Sequence, residues 1–481
     1  EILKGRKKDL NKFLLSPKLK KYKFYLENII RQKEHTLNDK EEKIISKLAS
    51  TSNVNENISE VLTNSVINYG KITVDGEDIE LTNANYRNII TNTNRETRKD
   101  AYNKITSNLK VYENIYGMNL AANMKFTHNL SEIYNFSSVL EMDLFDNNIP
   151  KEVVTNLYTT LEKRTEVLKK YFLMIKRNLG LETLEYYDIK TSLASNDLNF
   201  SIEEVKMILM SSLSVLGDDY IRILKKAFDD RWIDFGTYKG KTSSIYATSN
   251  YGNNPLVSTN FLGKFEDIST LAHELGHAIN FELSMKQDFH NWNGSLLTAE
   301  VASLTNEVLF SDYIIKQSKD ENLKAAAIYN LLDTIVNNLF DAAIEGKFEN
   351  EIYKKIANHE EVNAEVFNET IYNIRKDYYG DVVKLDNRVK TMWIRRMHYF
   401  SPYYLFKYAT GIASAIYIAK NIIENKNKMK EKYLMFLTKG GSDYPTNLLK
   451  EMGIDLTKPE IINEALDYMD YLIEEGNKIN L

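Results

Sequence analysis

The chain has 481 residues, 43% of them hydrophobic, enough for one large core or two lobes. Its 62 Lys and Arg against 67 Asp and Glu leave a formal net charge of -5, which argues against a nucleic-acid partner, since a phosphate backbone demands clustered positive charge. Cysteine is absent, so disulfides and thiolate metal sites are excluded and any metal must be held by His, Asp or Glu.

The longest apolar stretch, residues 409–423, carries Lys420 and falls short of the roughly 20 residues that span a bilayer. A soluble, cytoplasmic protein is therefore expected, with no membrane partner. Residue 1 is Glu and five of residues 4–9 are charged, so no signal-peptide pattern is in view.

Only 6 prolines and 19 glycines interrupt long runs of Leu, Ile, Lys, Glu and Asn, which predicts a mainly α fold. In chain order, the apolar residues of 22–48 recur every three or four positions, as amphipathic helices do. Residues 71–82 instead alternate about the turn signal Asp75-Gly76 and predict a β-hairpin. Helical periodicity returns over 151–179. It breaks again over 239–261, which holds Gly240, Gly252, Asn253, Asn254 and Pro255 and then the extended-looking Leu256-Val257-Ser258-Thr259-Asn260-Phe261. That run predicts a strand, either an ordinary member of a small sheet or an edge with which a peptide can pair.

The next helix carries His273-Glu274-Leu275-Gly276-His277. Residues four apart share a helix face, so the two imidazoles can address one ion, with Glu274 beside it. Zinc in such a setting brings the pKa of water towards neutrality and a carboxylate takes the proton, the pattern of metal-assisted hydrolysis. With 7 histidines in the chain, this spacing arises by chance in roughly one sequence in a hundred. The helical wheel adds weight: Ile268, Leu271, Ala272, Leu275 and Ile279 form an apolar stripe, and His273 and His277 fall opposite it.

Two histidines leave zinc short of a protein ligand. Glu300, 23 positions beyond His277, is the candidate third ligand, and it shares the flank of a second apolar helix with Glu307. Alone, such a pair is usually a solvated helix face; beside a two-His site, Glu300 reads as a ligand and Glu307 as a partner that orients a histidine. Farther on, residues 393–411 are rich in aromatics and contain His398. They form either an aromatic core helix or a source of donors for the charge that develops on a carbonyl oxygen during hydrolysis. His35, His128, His290 and His359 have no partner at ligand spacing and read as packing or surface residues.

Several segments in order resemble the oligoendopeptidase F family, relatives of thimet oligopeptidase. They are 269–278, then Ala299-Glu300-Val301-Ala302-Ser303 ending in Asn306-Glu307, then His398 with its tyrosines and Tyr408-Ala409-Thr410-Gly411, and finally Gly440-Gly441-Ser442 with Tyr444-Pro445. Weaker similarity reaches upstream to His35-Thr36-Leu37. The resemblance implies a two-lobed helical zincin-type shell with a deep central cleft, a small β-sheet beside the active-site helix, and short peptides as substrates. It implies one zinc ion held by His273, His277 and Glu300, and Glu274 as general base and proton shuttle. His398, Tyr404 and Tyr408 would supply the oxyanion and substrate donors, Leu256, Val257, Ser258, Thr259 and Asn260 the edge strand, and Gly440 and Gly441 a flexible loop near the cleft. It also implies a helical segment over 1–65, the remainder of a longer N-terminal domain, ahead of a catalytic domain over 66–481. Two departures stand out: Gly240-Lys241-Thr242-Ser243-Ser244-Ile245-Tyr246 lacks the second glycine of the family's pattern, and Phe406 replaces a frequent tyrosine.

Three functions compete. The first is an endopeptidase of short peptides. The second is a dipeptidyl carboxypeptidase or carboxypeptidase, which would need Arg388, Arg395 or Arg396 to grip a terminal carboxylate. The third is a non-catalytic helical peptide-binding protein, against which an intact Glu274 speaks.

Overall fold

Good helix formers run almost unbroken between the few prolines and glycines, and the computed structural model is accordingly helical through most of the residues it describes, 12–49, 51–193, 198–238, 240–241, 244–426 and 428–479. In chain order the helices are α1 (Lys23–Arg31), α2 (Asp39–Ala49), α3 (Val54–Val61), α4 (Asn83–Ile89), α5 (Arg95–Ile133), α6 (Val139–Phe145), α7 (Lys151–Lys163), α8 (Thr165–Asn178), α9 (Ile202–Ser212) and α10 (Asp218–Asp229). After them come α11 (Phe265–Ser284), α12 (Leu296–Gln317), α13 (Glu321–Ile335), α14 (Ala342–Ala357), α15 (Ala364–Tyr379), α16 (Phe406–Ile423), α17 (Met429–Phe436), α18 (Pro445–Glu451) and α19 (Glu460–Gly476).

The periodic stretch 22–48 is two helices, because Thr36 is extended after a short 3-10 turn, and 151–179 divides at Arg164. Periodicity reports a shared face and does not mark where a helix is interrupted along it. A π-helical turn, Val336–Asp341, joins α13 to α14. Among the described residues no helix is long and apolar enough to cross a membrane.

The hairpin forms as expected, β1 (Lys71–Val74) against β2 (Glu77–Glu80), with Asp75 at φ 52° and Gly76 at φ 87° supplying the left-handed turn. β3 (Leu184–Glu185) pairs in parallel with β7 (Val383–Lys384). The third sheet contains β4 (Ile233–Asp234), β5 (Tyr246–Thr248) and β6 (Leu256–Ser258) in the order β4-β6-β5. This order corrects the edge-strand expectation. β6 is central: the Val257 N–H donates to Trp232 O at 2.8 Å, the Thr259 N–H to Asp234 O at 3.0 Å, and Tyr246 and Thr248 of β5 face Ser258 and Leu256 on the other side. The backbone of β6 is thus committed to its neighbours, Asn260 lies beyond the strand, and β4 and β5 are the outer strands. Thr242 and Ser243, within the glycine-departure segment, and Lys239 just before it lie outside the described residues, as do residues 4–9.

Three packed helices hold the centre. The expected stripe of α11 is buried, with Ile268, Leu271, Ala272, Leu275 and Ile279 at 1% exposure or less. Gly276 lets α11 and α12 meet backbone to backbone, since a Cβ there would lie 2.6 Å from the Cα of Ser303. On the other side of α12, Gly411 of α16 faces Glu300, whose Cβ would be 3.1 Å from an added methyl. These two close approaches fix Glu300 between the helix of the histidines and the helix of the tyrosines.

Candidate active site

α11 is tied at its start by Asp267, whose carboxylate accepts the N–H groups of Leu262 and Lys264 at 2.8 and 2.9 Å. Two turns later it presents His273 and His277 on one face, with their Nε2 atoms 3.2 Å apart. Glu300 of α12 completes the group: its oxygens lie 3.5 Å from His273 Nε2 and 4.0 Å from His277 Nε2. One donor atom from each of the three residues lies within 4.8 Å of the others. Tetrahedral zinc ligands at ~2.1 Å from the ion sit about 3.4 Å apart, so the spacing and the N, N, O donor set fit such an ion.

The electrostatics agree with that fit. Burial works against a charged His273, but the adjoining Glu307, with Glu300 and Glu274 nearby, outweighs it and pushes the imidazole up to about 9. Burial and the neighbouring His273 push His277 down to about 3, leaving it neutral. Burial likewise raises the carboxyls of Glu274 and Glu300. Three acids around two largely buried imidazoles make a place that favours a cation.

Glu307 lies behind His273, its Oε1 2.5 Å from Nδ1, so Nε2 is left to face Glu300. The Glu307 carboxylate also accepts the hydroxyls of Ser269 at 3.3 Å and Thr334 at 3.5 Å. Asn306 adds a second tie between the helices, donating to Ala272 O at 3.1 Å while accepting the Tyr220 hydroxyl at 2.7 Å. Glu274 is 7% exposed, and the Ala247 N–H of β5 donates to its carboxylate. Sequence reasoning passed over Ala247, Ser269 and Thr334; a backbone donor leaves no mark in a sequence, and the two hydroxyls lie in ordinary helical contexts.

The aromatic segment is placed beside this group. The Tyr408 hydroxyl donates to Glu300 and lies 3.3 Å from that of Tyr404. Burial, then the charge of Glu300, raises the Tyr408 phenol, so it keeps its proton at neutral pH. His398 stacks on Tyr404, with ring centroids 5.4 Å apart. Tyr403 points elsewhere, donating to Asn350 Oδ1 at 3.0 Å, and Phe406 is buried.

Gly440 and Gly441 depart from the expected flexible loop. The Gly441 N–H donates to Asn291 O at 2.7 Å, and a Cβ on either glycine would lie 2.4 Å from the carbonyl oxygen of Trp292 or Asn293. These glycines permit two backbones to pack tightly. The other histidines also have local roles: His35 stacks on Phe136, His128 faces Glu132, His290 sits among Tyr22, Tyr25 and Phe289, and His359 takes a left-handed backbone at the end of α14.

Residues 89–468 match the family model described as peptidase family M3, and residues 1–69 that described as oligopeptidase F. The chain belongs to peptidase family M3. It is therefore a peptidase, of the metallopeptidase kind, with peptides as its substrates. Among M3 relatives, it is 32% identical to the oligoendopeptidase F homolog of Borreliella burgdorferi, covering 100% of this chain and 81% of that one. It is 30% identical to oligopeptidase PepF of Bacillus subtilis, covering 100% and 72%. The crystal structure of a protein from Chlamydophila abortus superposes with a TM-score of 0.93 at 29% identity, covering 100% of this chain and 81% of that one. The fold is shared with oligoendopeptidase-F from Enterococcus faecium, at TM-score 0.82, 24% identity and coverage of 99% and 82%.

Proposed function

We propose that the chain is a zinc endopeptidase that hydrolyses internal bonds of short oligopeptides. The observation that carries this reading is the convergence of His273, His277 and Glu300, within 4.8 Å of one another, beside the buried carboxylate of Glu274. In it, His273, His277 and Glu300 hold one zinc ion, with His273 oriented by Glu307. When bound, that ion supplies Lewis acidity, drawing the pKa of water towards neutrality and polarising the peptide carbonyl.

The remaining chemistry belongs to the protein. Glu274 takes a proton from the attacking water as the C–O bond forms, then delivers it to the amide nitrogen as the C–N bond breaks. Burial equips it for this, because a carboxyl raised above its ordinary value accepts a proton more readily at neutral pH. The Ala247 N–H and His273 limit that rise and keep the anion available. Tyr408, with Tyr404 and His398 next to it, donates to the oxygen on which charge develops. β5, rather than β6, is the strand for aligning a peptide, since it is an outer strand and, unlike β4, reaches Glu274, through Ala247.

A cytoplasmic setting, suited to a chain without cysteine, belongs to the same proposal. So does the division into a helical segment over 1–65 and a catalytic part over 66–481. The test is to incubate the purified chain with peptides blocked at both ends, with zinc, with a chelator, and after zinc is restored, and to map products by mass spectrometry. Internal cuts that vanish with chelation and return with zinc support the reading; cutting untouched by chelation contradicts it.

A further inference from the structure

A cavity of about 570 Å³ lies away from the candidate metal ligands, between α4, the π-turn and the segment that leads to His398. Five cations line it, Arg87, Lys190, Arg375, Arg395 and Arg396, against three carboxylates, Asp333, Asp341 and Glu345. The carboxylates are engaged. Lys190 lies 3.5 Å from both Asp333 and Asp341, Arg375 3.1 Å from Glu345, and Arg396 3.5 Å from Asp341 and 3.4 Å from Glu345.

Arg395 stands apart from this network. Its Nε donates to Asn83 Oδ1 at 2.8 Å and its Nη2 to Asn83 O at 3.2 Å, and its guanidinium lies 4.2 Å from the centre of the Tyr86 ring. Among the described residues no carboxylate forms an ion pair with it. These bonds hold the group in one orientation and leave donors of its planar fork unspent. Arg87 is exposed and brings a second cation without an ion-pair partner among the described residues. A half-buried, oriented guanidinium without a counter-charge, in a cavity with two surplus cations, fits an arriving carboxylate. Arg388 does not qualify, being paired with Asp386 at 2.8 Å.

Two lines of contact lead from the site towards the cavity. Tyr408, bonded to Glu300, leads through Tyr404 to His398, whose charged form is disfavoured by burial and then by Arg396 and Arg87, so both arginines act on that ring. Along α13, Thr334 touches Glu307 while Asp341, at the end of the π-turn, lines the cavity.

The geometry points to Arg395, supported by Arg87, as the anchor for a substrate carboxylate, and the C-terminal carboxylate of a short peptide is the group it fits. This assignment rests on the peptidase reading and makes peptide length a matter of charge as well as space. Arg395 would be a specificity-determining residue.

The test uses one peptide sequence in three forms: free C-terminal acid, C-terminal amide, and amide with an acidic side chain at the last position. The wild-type chain with zinc is expected to cut the free acid with a kcat/KM about tenfold or more above the amide, mainly through KM. Arg395→Gln should bring that ratio near one, and Arg395→Lys should restore part of it. Recovery with the acidic side chain alone would show that the site reads a carboxylate from either source. Equal cutting of acid and amide by the wild-type chain overturns the assignment without any variant, and so does an Arg395→Gln variant that slows both forms equally. If the wild-type chain cuts neither, the peptidase reading fails and this one with it.

Discussion

Oε1 of Glu307 stands 2.5 Å from Nδ1 of His273, which leaves the ring's Nε2 3.2 Å from that of His277. The carboxylate fixes which nitrogen is offered to the metal and makes that nitrogen more basic. Glu307→Gln, which keeps the shape but loses the charge, should weaken zinc affinity by about 10–100-fold. Competition with a chromophoric chelator measures it, and an unchanged affinity would remove Glu307 from the site's support.

Tyr408 and Tyr404 are separable by single hydroxyl deletions. Because Tyr408 bonds Glu300 directly and Tyr404 reaches it only through Tyr408, Tyr408→Phe should lower kcat by on the order of 100-fold with little change in KM. Tyr404→Phe should cost less. Steady-state kinetics on one blocked peptide decides this, and a reversed order would transfer the donor role to Tyr404.

Replacing a mid-helix glycine by alanine ordinarily favours a helix by about 1 kcal/mol. At Gly276 the opposite is expected, since the new methyl would meet Ser303 Cα at 2.6 Å in the crossing of α11 and α12. Gly276→Ala should destabilise by about 1–3 kcal/mol and loosen metal binding together with it. Thermal unfolding checks the first effect and zinc content the second; a more stable variant would mean that the helices do not cross this closely.

Asp143 of α6, 3.4 Å from Lys407 of α16, is pushed up to about 6 by burial, with the lysine opposing the shift. A carboxyl raised above its unfolded value contributes stability that is fully present below about pH 3.8 and is lost as pH rises through 6. Asp143→Asn lacks this dependence. From pH 4 to pH 7 the wild-type chain should therefore lose stability relative to the variant, by on the order of 3 kcal/mol. Denaturant unfolding across that range would show it, and a difference independent of pH would mean the carboxyl is not raised.

The parts of this molecule that announce themselves in sequence are those with a local period. His273 and His277 are one turn apart on a helix whose apolar stripe is buried, and Glu300 and Glu307 follow from a second stripe in the same way. Asp75-Gly76 marks its hairpin because a tight turn needs left-handed backbone there. The order of the small sheet had no such mark: β4 has two residues, β5 and β6 three each, and a central strand so short reads like an outer one. The tight packing of Gly440-Gly441 carries no mark either, since a glycine serves a close approach as readily as a flexible turn, and the partner, the 291–293 backbone, is distant in sequence. Adjacent Arg395 and Arg396 look alike until the fold gives one of them Asp341 and Glu345 and the other Asn83.

The most direct measurement compares the wild-type chain with Glu274→Gln, determining bound zinc and the turnover of an internally quenched peptide blocked at both ends. The expected result is one zinc ion per chain in both proteins, with turnover in the variant reduced by at least ~10²-fold. A variant that keeps both its zinc and its turnover would contradict Glu274 as the base, and a wild-type chain that cuts the peptide without zinc would contradict the metal centre itself.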